Sequence, residues 1–389
     1  MFSSTAYQIL AAIVLTNGLS SALPTPETSP NPNWQQIGKR LNSRASTQDY
    51  IAYSVAGINQ LQTWYSAATG IYGDVTTWWN SANVITMLAN FQEYFPDHVA
   101  PTTNSIFPTT LTQAPIASGY TGFLNEFYDD ELWWAIAWIE VYDVTKDEKY
   151  LDMAAQIFED PKSVWGQAKC GGLWWDKSHT QNGAVENSLY LTAAAKLANR
   201  RPNTPSQGYY YNEALKAHDW FLASGLINSN NLINNGLDLN TCQNDGAAVF
   251  TYNQGIILGG LTELSWASGD ASHIDLANTI AMSAINALTD ENGILTEECE
   301  ATNTCNRDLQ QFKGVFGRNI QFMFNRAALT DDIKTTYKNF LTRNADSIWS
   351  NDQVDNQLGL DWSGPNSMST IQTQSSALDA IVGAACVSI

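Results

Sequence analysis

The chain has 389 residues, 44% of them hydrophobic, with 38 acidic against 19 basic side chains and a formal net charge of −19. That acidity excludes electrostatic binding to nucleic acid or to anionic membranes, and the apolar content is ample for a large buried core. No run of like charge stands out, so the acidity reads as a solvated surface, suited to a secreted protein with a neutral substrate.

Residues 1–22 read as a signal peptide. A short apolar core, ILAAIVL at 9–15, precedes small residues at Ser20-Ser21-Ala22, and it is too short to span a bilayer comfortably. Its amino group is the only positive charge ahead of that core. Residues 23–40 are rich in Pro, Ser and Asn and end in the dibasic pair Lys39-Arg40. They are expected to be a pro-segment, with a disordered tail as the alternative, leaving one domain over 41–389. The C-terminal stretch SSALDAIVGAACVSI is too short and interrupted for a GPI signal, so no membrane anchor is expected.

Helical periodicity dominates the rest of the chain. Helices are expected near 47–67, 80–94, 105–113, 130–143, 147–158, 185–199, 208–224, 252–268, 272–288, 308–327, 330–349 and 367–385. DELWWAIAWIEVY (130–142) is apolar almost all round, as a helix buried on every side must be. DEKYLDMAAQIF, from Asp147, carries one apolar stripe and should cover it from outside. The pairing recurs. DASHIDLANTIA, from Asp270, matches DEKYLDMAAQIF at an offset of 123 residues, and YNEALKAHDWF at 211 is a looser copy between them. A period near 61 residues divides the mature chain into six hairpins. An all-α (α/α)6 barrel follows, with a linear solenoid as its rival.

Five cysteines stand at 170, 242, 299, 305 and 386, and four histidines are scattered. Cys299 and Cys305 are close enough to staple one loop; the pairing of the others is open. They match no zinc spacing, so neither metal nor cofactor is expected. Sequence motifs for esterase, zinc-protease and nucleotide chemistry do not occur.

FYDDELWW (127–134) crowds Asp129, Asp130 and Glu131. Acidic residues favour the first turn of a helix, and Asp129 as N-cap would explain them without chemistry. The alternative is catalytic. Consecutive residues point about 100° apart, so two carboxylates can flank one glycosidic bond. Their repulsion in a partly dry cleft would hold one protonated and leave the other ionised. Tryptophan pairs at Trp78-Trp79, Trp133-Trp134 and Trp174-Trp175 would pack on the C–H faces of a sugar, and nearby amides would bond its hydroxyls. Neighbours on a helix face different ways, so one ring of each pair is expected in the core.

These residues resemble glycoside hydrolase family 76, the endo-α-1,6-mannanases. The resemblance spans about residues 50 to 380 and rests on WWNSAN (78–83), YDDELWWAIAWIEVYD (128–143), CGGLWW (170–175), NGAVENSLYL (182–191), TYNQGIILGGLTEL (251–264) and FKGVFGR (312–318). It implies an (α/α)6 fold and hydrolysis of α-1,6-linked mannose backbones with retention, Asp129 as nucleophile and Asp130 as acid/base. Where the family writes Lys-Asn this chain has Gln181-Asn182, so only Asn182 carries over. Substrate contacts are expected from Trp78, Trp79, Asn80, Asn83, Tyr128, Trp133, Trp174 and Trp175. Asn182, Tyr252, Asn253 and Gln254 join them. Asp308, Lys313 and Arg318 share one helix entry, where capping and salt bridging compete with substrate contact; of these, Asp308 and Lys313 are included as contacts. The expected partner is the polysaccharide α-1,6-mannan and the expected state a monomer, secreted or cell-wall associated. Fungal relatives of this type are proposed to transfer wall glycans, so a transglycosidase is the first alternative. A non-catalytic glycan-binding barrel is the second.

Overall fold

A computed structural model describes residues 44–201 and 205–389, the side chains of 205–207 excepted. The leader at 1–22, the segment at 23–40 and the start near Leu41 lie outside the described residues. Twelve long helices carry the fold: α1 (Thr47–Leu61), α2 (Trp78–Tyr94), α3 (Pro96–Ser118), α4 (Tyr128–Thr145), α5 (Glu148–Ser163), α6 (Ala184–Arg200), α7 (Pro205–Ala223), α8 (Thr251–Ser268), α9 (Ser272–Ala287), α10 (Phe312–Arg326), α11 (Asp331–Ser347) and α12 (Ile371–Cys386). The even-numbered helices pack side by side in a ring, α2 on α4, α4 on α6, α6 on α8, α8 on α10, α10 on α12, and α12 back on α2. That last contact closes the barrel and removes the solenoid. The odd-numbered helices sit outside, each against the inner helix before it, with α1 covering α12.

Sequence explains the two layers. Every residue of α12 is buried, as are Ala184–Ala198 of α6 and Thr251–Leu264 of α8, so these helices need apolar or small residues on all faces. Outer α5 buries only Tyr150, Leu151, Ala154, Ile157, Phe158 and Pro161, a single stripe. Glycine sets the ring's tightness: a Cβ on Gly255 of α8 would stand 2.6 Å from the Phe316 Cα of α10, and one on Gly314 of α10 2.6 Å from the Ser376 Cα of α12.

Two expected helices differ from those observed. The stretch 105–113 is part of Pro96–Ser118, which runs through Pro101, Pro108 and Pro115. Prolines spaced by seven share one face, and here it is the outer one, where water can bond the carbonyls that each ring leaves free. The helix expected over 47–67 ends at Leu61, and Tyr65–Ser66 instead pairs antiparallel with Ile71–Tyr72. Cys299 is bonded to Cys305 and Cys170 to Cys242, leaving Cys386 as a buried thiol.

Candidate active site

The even-numbered helices run parallel, so their N-termini gather at one mouth of the ring. Asp129 and Asp130 lie there, in the first turn of α4. Phe127, not Asp129, holds the N-cap position, and it gives the helix start no side-chain hydrogen bond. Asp129 is therefore not the N-cap, although it and Asp130 stand in the first turn, where helix amides favour acids. The loop ahead fixes the pair. Asn125 donates its side-chain amide to Asp130 Oδ2 at 2.7 Å, and accepts from the Phe127 N–H at 2.9 Å. Its own N–H goes to Glu131 Oε1 at 3.0 Å. Glu131 turns away from the pair, fully buried and bridged to Lys177 at 2.9 Å.

Both aspartates keep part of their surface open to solvent. Neither has a cation partner among the described residues. Burial pushes Asp129 up to about 7, against hydrogen bonds from the Trp175 indole and from two amides of the helix start. Asp130 goes well above the ordinary carboxylate range, first through burial and then through the charge of Asp129. Two raised carboxyls side by side share a proton in a pH range where an isolated aspartate would be ionised.

Two of the three tryptophan pairs split between core and mouth, whereas Trp133 and Trp134 are both buried. Trp78 packs on Trp134 at 5.5 Å and on Phe123 at 6.1 Å, buried in the core. Trp79 stacks against Trp133 at 6.1 Å and stays half-buried, its indole N–H on Asp308 Oδ1 at 3.1 Å. Trp175 lies against Phe127 at 4.8 Å beside Asp129. Its neighbour Trp174 is buried under His179, ring to ring at 5.0 Å. Tyr252 lies flat on Phe312 at 3.7 Å, and its hydroxyl feels the charges of Asp129, Glu186, Glu297 and Asp308.

Several expected contacts are instead committed inside the fold. Asn80 is fully buried between Gln311 (2.7 Å) and Gln372 (3.3 Å). Gln254 clamps Ile233, accepting its N–H and donating to its carbonyl, both at 2.8 Å. Lys313 is buried on Glu300 at 2.8 Å and on the Leu360 carbonyl at 2.7 Å. Arg318 pairs with Asp379 at 3.0 Å and donates to Asn83 at 2.6 Å. At that helix entry the salt-bridge reading describes Lys313 and Arg318, while exposed Asp308 reaches the mouth. Tyr128 is buried, under the Lys177 ammonium at 5.4 Å. Asn182 and Asn253 are buried near the mouth, each with an unpartnered Oδ1.

Sequence reasoning missed Glu186. It stands in the first turn of α6, fully buried, and burial, helped by the charge of Asp129 and opposed by hydrogen bonds from two backbone amides and Asn187, takes it up to about 8. The signal was the spacing NGAVEN, a helix start with an acid three residues past Gly183.

Comparison with known proteins agrees with this architecture. The family model "Glycosyl hydrolase family 76" matches residues 45–387. The mannan endo-1,6-alpha-mannosidase DFG5 of Saccharomyces cerevisiae is 24% identical over 304 residues, which cover 70% of this chain and 64% of that protein. The mannan endo-1,6-alpha-mannosidase DCW1 of Candida glabrata is 24% identical over 78% of this chain and 71% of its own length. Among solved structures, the alpha-1,6-mannanase GH76A of Salegentibacter sp. HEL1_6 superposes with a TM-score of 0.75 at 22% identity, over 87% of this chain and 100% of that one. An inactive variant of it, with asparagine for aspartate at two consecutive positions, was solved with alpha-1,6-mannotriose. Dfg5 from Chaetomium thermophilum, solved with glucosamine, gives a TM-score of 0.75 at 16% identity, over 88% and 92% of the two chains. At these identities the structural likeness speaks for the fold, and the family match over nearly all the described residues speaks for descent. The chain belongs to glycosyl hydrolase family 76.

Proposed function

We propose that the protein is a secreted, retaining endo-α-1,6-mannanase. One observation carries the reading: two consecutive carboxylates, both raised and without cation partners among the described residues, at a mouth lined by aromatic rings. Half-buried Trp79 and Trp175 offer flat faces to the C–H side of mannose, backed by the buried rings of Trp133 and Tyr252. Asp129, as carboxylate, attacks the anomeric carbon while Asp130 gives its proton to the departing glycosidic oxygen. The C–O bond to the leaving chain breaks as the bond to Asp129 forms. Asp130, now ionised, then takes a proton from water, whose oxygen displaces Asp129 and restores the enzyme.

Support also comes from the relatives named for mannan endo-1,6-alpha-mannosidase, and from an alpha-1,6-mannanase inactivated at two consecutive aspartates. The test is reducing-end release from linear α-1,6-mannan by wild type and by Asp129→Asn. Release by wild type alone, with the product first formed as the α anomer, supports the reading. Equal release by both proteins sinks it. Longer products in place of new reducing ends would mean that a sugar hydroxyl, not water, accepts the glycosyl unit. Secretion with removal of residues 1–40 belongs to the same proposal, and a secreted chain beginning at Leu23 would refute the second cut.

A further inference from the structure

Buried polar atoms almost always find partners, which makes the exceptions informative. Around the mouth, four buried side-chain oxygens have none: Asp129 Oδ1, Asn182 Oδ1, Glu186 Oε2 and Asn253 Oδ1. All four accept when the acids are ionised, so they cannot satisfy one another unless one of them carries a proton. Asn182 and Asn253 are amides and cannot supply it. Each amide has one N–H bonded elsewhere, Asn182 to the Leu173 carbonyl at 2.7 Å and Asn253 to Asn235 Oδ1 at 3.2 Å, and keeps a second.

Glu186 is placed to be the donor. Its Oε1 is occupied by the Gly183 N–H and by the Asn187 side chain at 3.2 Å, which leaves Oε2 for the proton. Helix α6 packs directly on α4, and the first turns of both lie at the mouth. A chain of bonds also joins the two acids. Asn187, held by Glu186 and by the Gly183 carbonyl at 2.8 Å, accepts the Leu173 N–H at 2.8 Å. Two residues on, the Trp175 carbonyl accepts the Tyr128 N–H at 2.9 Å, next to Asp129.

Resting on the reading of Asp129 as nucleophile, we propose that Glu186 is a positioning residue, a neutral acid whose Oε2 hydroxyl donates to the free Oδ1 of Asp129. A charged acceptor makes the stronger bond, which favours Asp129 over the amide oxygens of Asn182 and Asn253. At neutral pH Glu186 is held in its protonated form by burial, with Asp129's charge acting the same way. The bond orients the nucleophile and stabilises its ionised form. Other groups face this pair: Asp130 from α4, Tyr252 from α8, and Glu297 and Asp308 from the connecting segments. Asp130 and the Tyr252 hydroxyl also keep protons here, and what singles out Glu186 is that its buried Oε2 has no partner.

The test follows the Asp129 carboxyl by NMR in isotope-labelled full-length protein, beside the pH profile of kcat on linear α-1,6-mannan. Glu186→Gln keeps a donor in place and should leave the Asp129 titration and the acid limb of kcat within about 0.3 pH units of wild type. Glu186→Leu removes the donor. It should move both upward together by about 0.5–1 unit, with kcat falling more than KM changes. Wild type should show a second, smaller inflection of the Asp129 signal on the alkaline side, where Glu186 loses its proton, and Glu186→Gln should abolish it. That last readout needs no leucine variant, should the latter fail to fold. An Asp129 titration identical in wild type and Glu186→Gln, alkaline inflection included, would overturn the proposal and leave the hydroxyl on Asn182 or Asn253. A shifted Asp129 signal in a protein that never cleaves mannan would uphold the pairing and overturn the mannanase reading instead.

Discussion

Helices α4, α6 and α8 between them place buried acids at both ends of the ring, and the two ends behave oppositely. At the mouth, Asp129, Asp130 and Glu186 are all raised, because burial acts without a cation to oppose it. At the floor, burial acts as strongly on Glu140 and Glu263, yet both are lowered, Glu263 to about 2, because Arg200 and Lys196 overcome it. Lys196 lies 2.5 Å from Glu140 and 3.3 Å from Glu263; Arg200 lies 2.7 Å from Glu263 and 2.5 Å from Asp143. Helix polarity opposes the rise at the mouth, since N-termini favour anions, and supports Lys196 and Arg200 at the floor, since C-termini favour cations. One end holds acids primed to exchange protons. The other holds the ring together.

The sharpest break of the comparison is catalytic. Asp129→Asn should lower turnover of linear α-1,6-mannan by about 10⁴-fold or more, since no covalent intermediate can form. Asp130→Asn should be nearly as poor on mannan, where the leaving alcohol needs a proton. On an aryl mannoside with a good leaving group its first step should recover, and azide should then yield an α-mannosyl azide. A β product would mean single displacement.

The floor should answer differently. Glu263→Gln leaves Lys196 and Arg200 short of a counter-charge, and should cost about 3–5 kcal/mol in denaturant unfolding. Activity per folded molecule should stay near wild type. A large fall in kcat without loss of stability would erase the distinction between the two ends.

A smaller effect tests how the mouth is braced. The loop closed by Cys299–Cys305 leads directly to Asp308, which holds Trp79, while neighbouring Arg307 contacts Thr76. Cys299→Ser with Cys305→Ser should cost about 2 kcal/mol by loop-closure entropy and raise KM for mannan more than it lowers kcat. An unchanged KM would detach the loop from the site.

The smallest expected effect is on stability against pH. Asp129 and Asp130 are raised in the folded state, so their ionisation costs stability, beginning above the unfolded value near 4 and complete, for Asp129, above about 7. Glu263 is lowered, so its contribution is present above its unfolded value near 4.5 and is lost as pH falls toward about 2. Stability should therefore peak in mildly acid solution. Asp130→Asn should raise Tm by about 2 °C at pH 7 and not at pH 4. A Tm gain that is the same at both pH values would mean the aspartate charge is not what costs stability.

Much of this was legible in the sequence. The all-round apolar helices and the 123-residue offset give alternating inner and outer helices, because only a helix buried on every side can dispense with a polar face. The division of Trp78 from Trp79 follows from the 100° step between neighbours on a helix. The sequence also marked Asp129 and Asp130, whose charges no short-range partner could neutralise. Tertiary structure decided the rest. Ring closure depends on α12 meeting α2, a contact between segments nearly three hundred residues apart along the chain. The helix expected over 105–113 extends through Pro101, Pro108 and Pro115 because their shared face is the outer one. Lys313, Asn80 and Gln254 stand beside site motifs in sequence, but their side chains are taken up by Glu300, Gln311 and Ile233. Glu186 became visible only when α6 lay against α4. A carboxyl's protonation state depends on which charges and dipoles surround it in space, and those come from segments that the chain sequence does not place together.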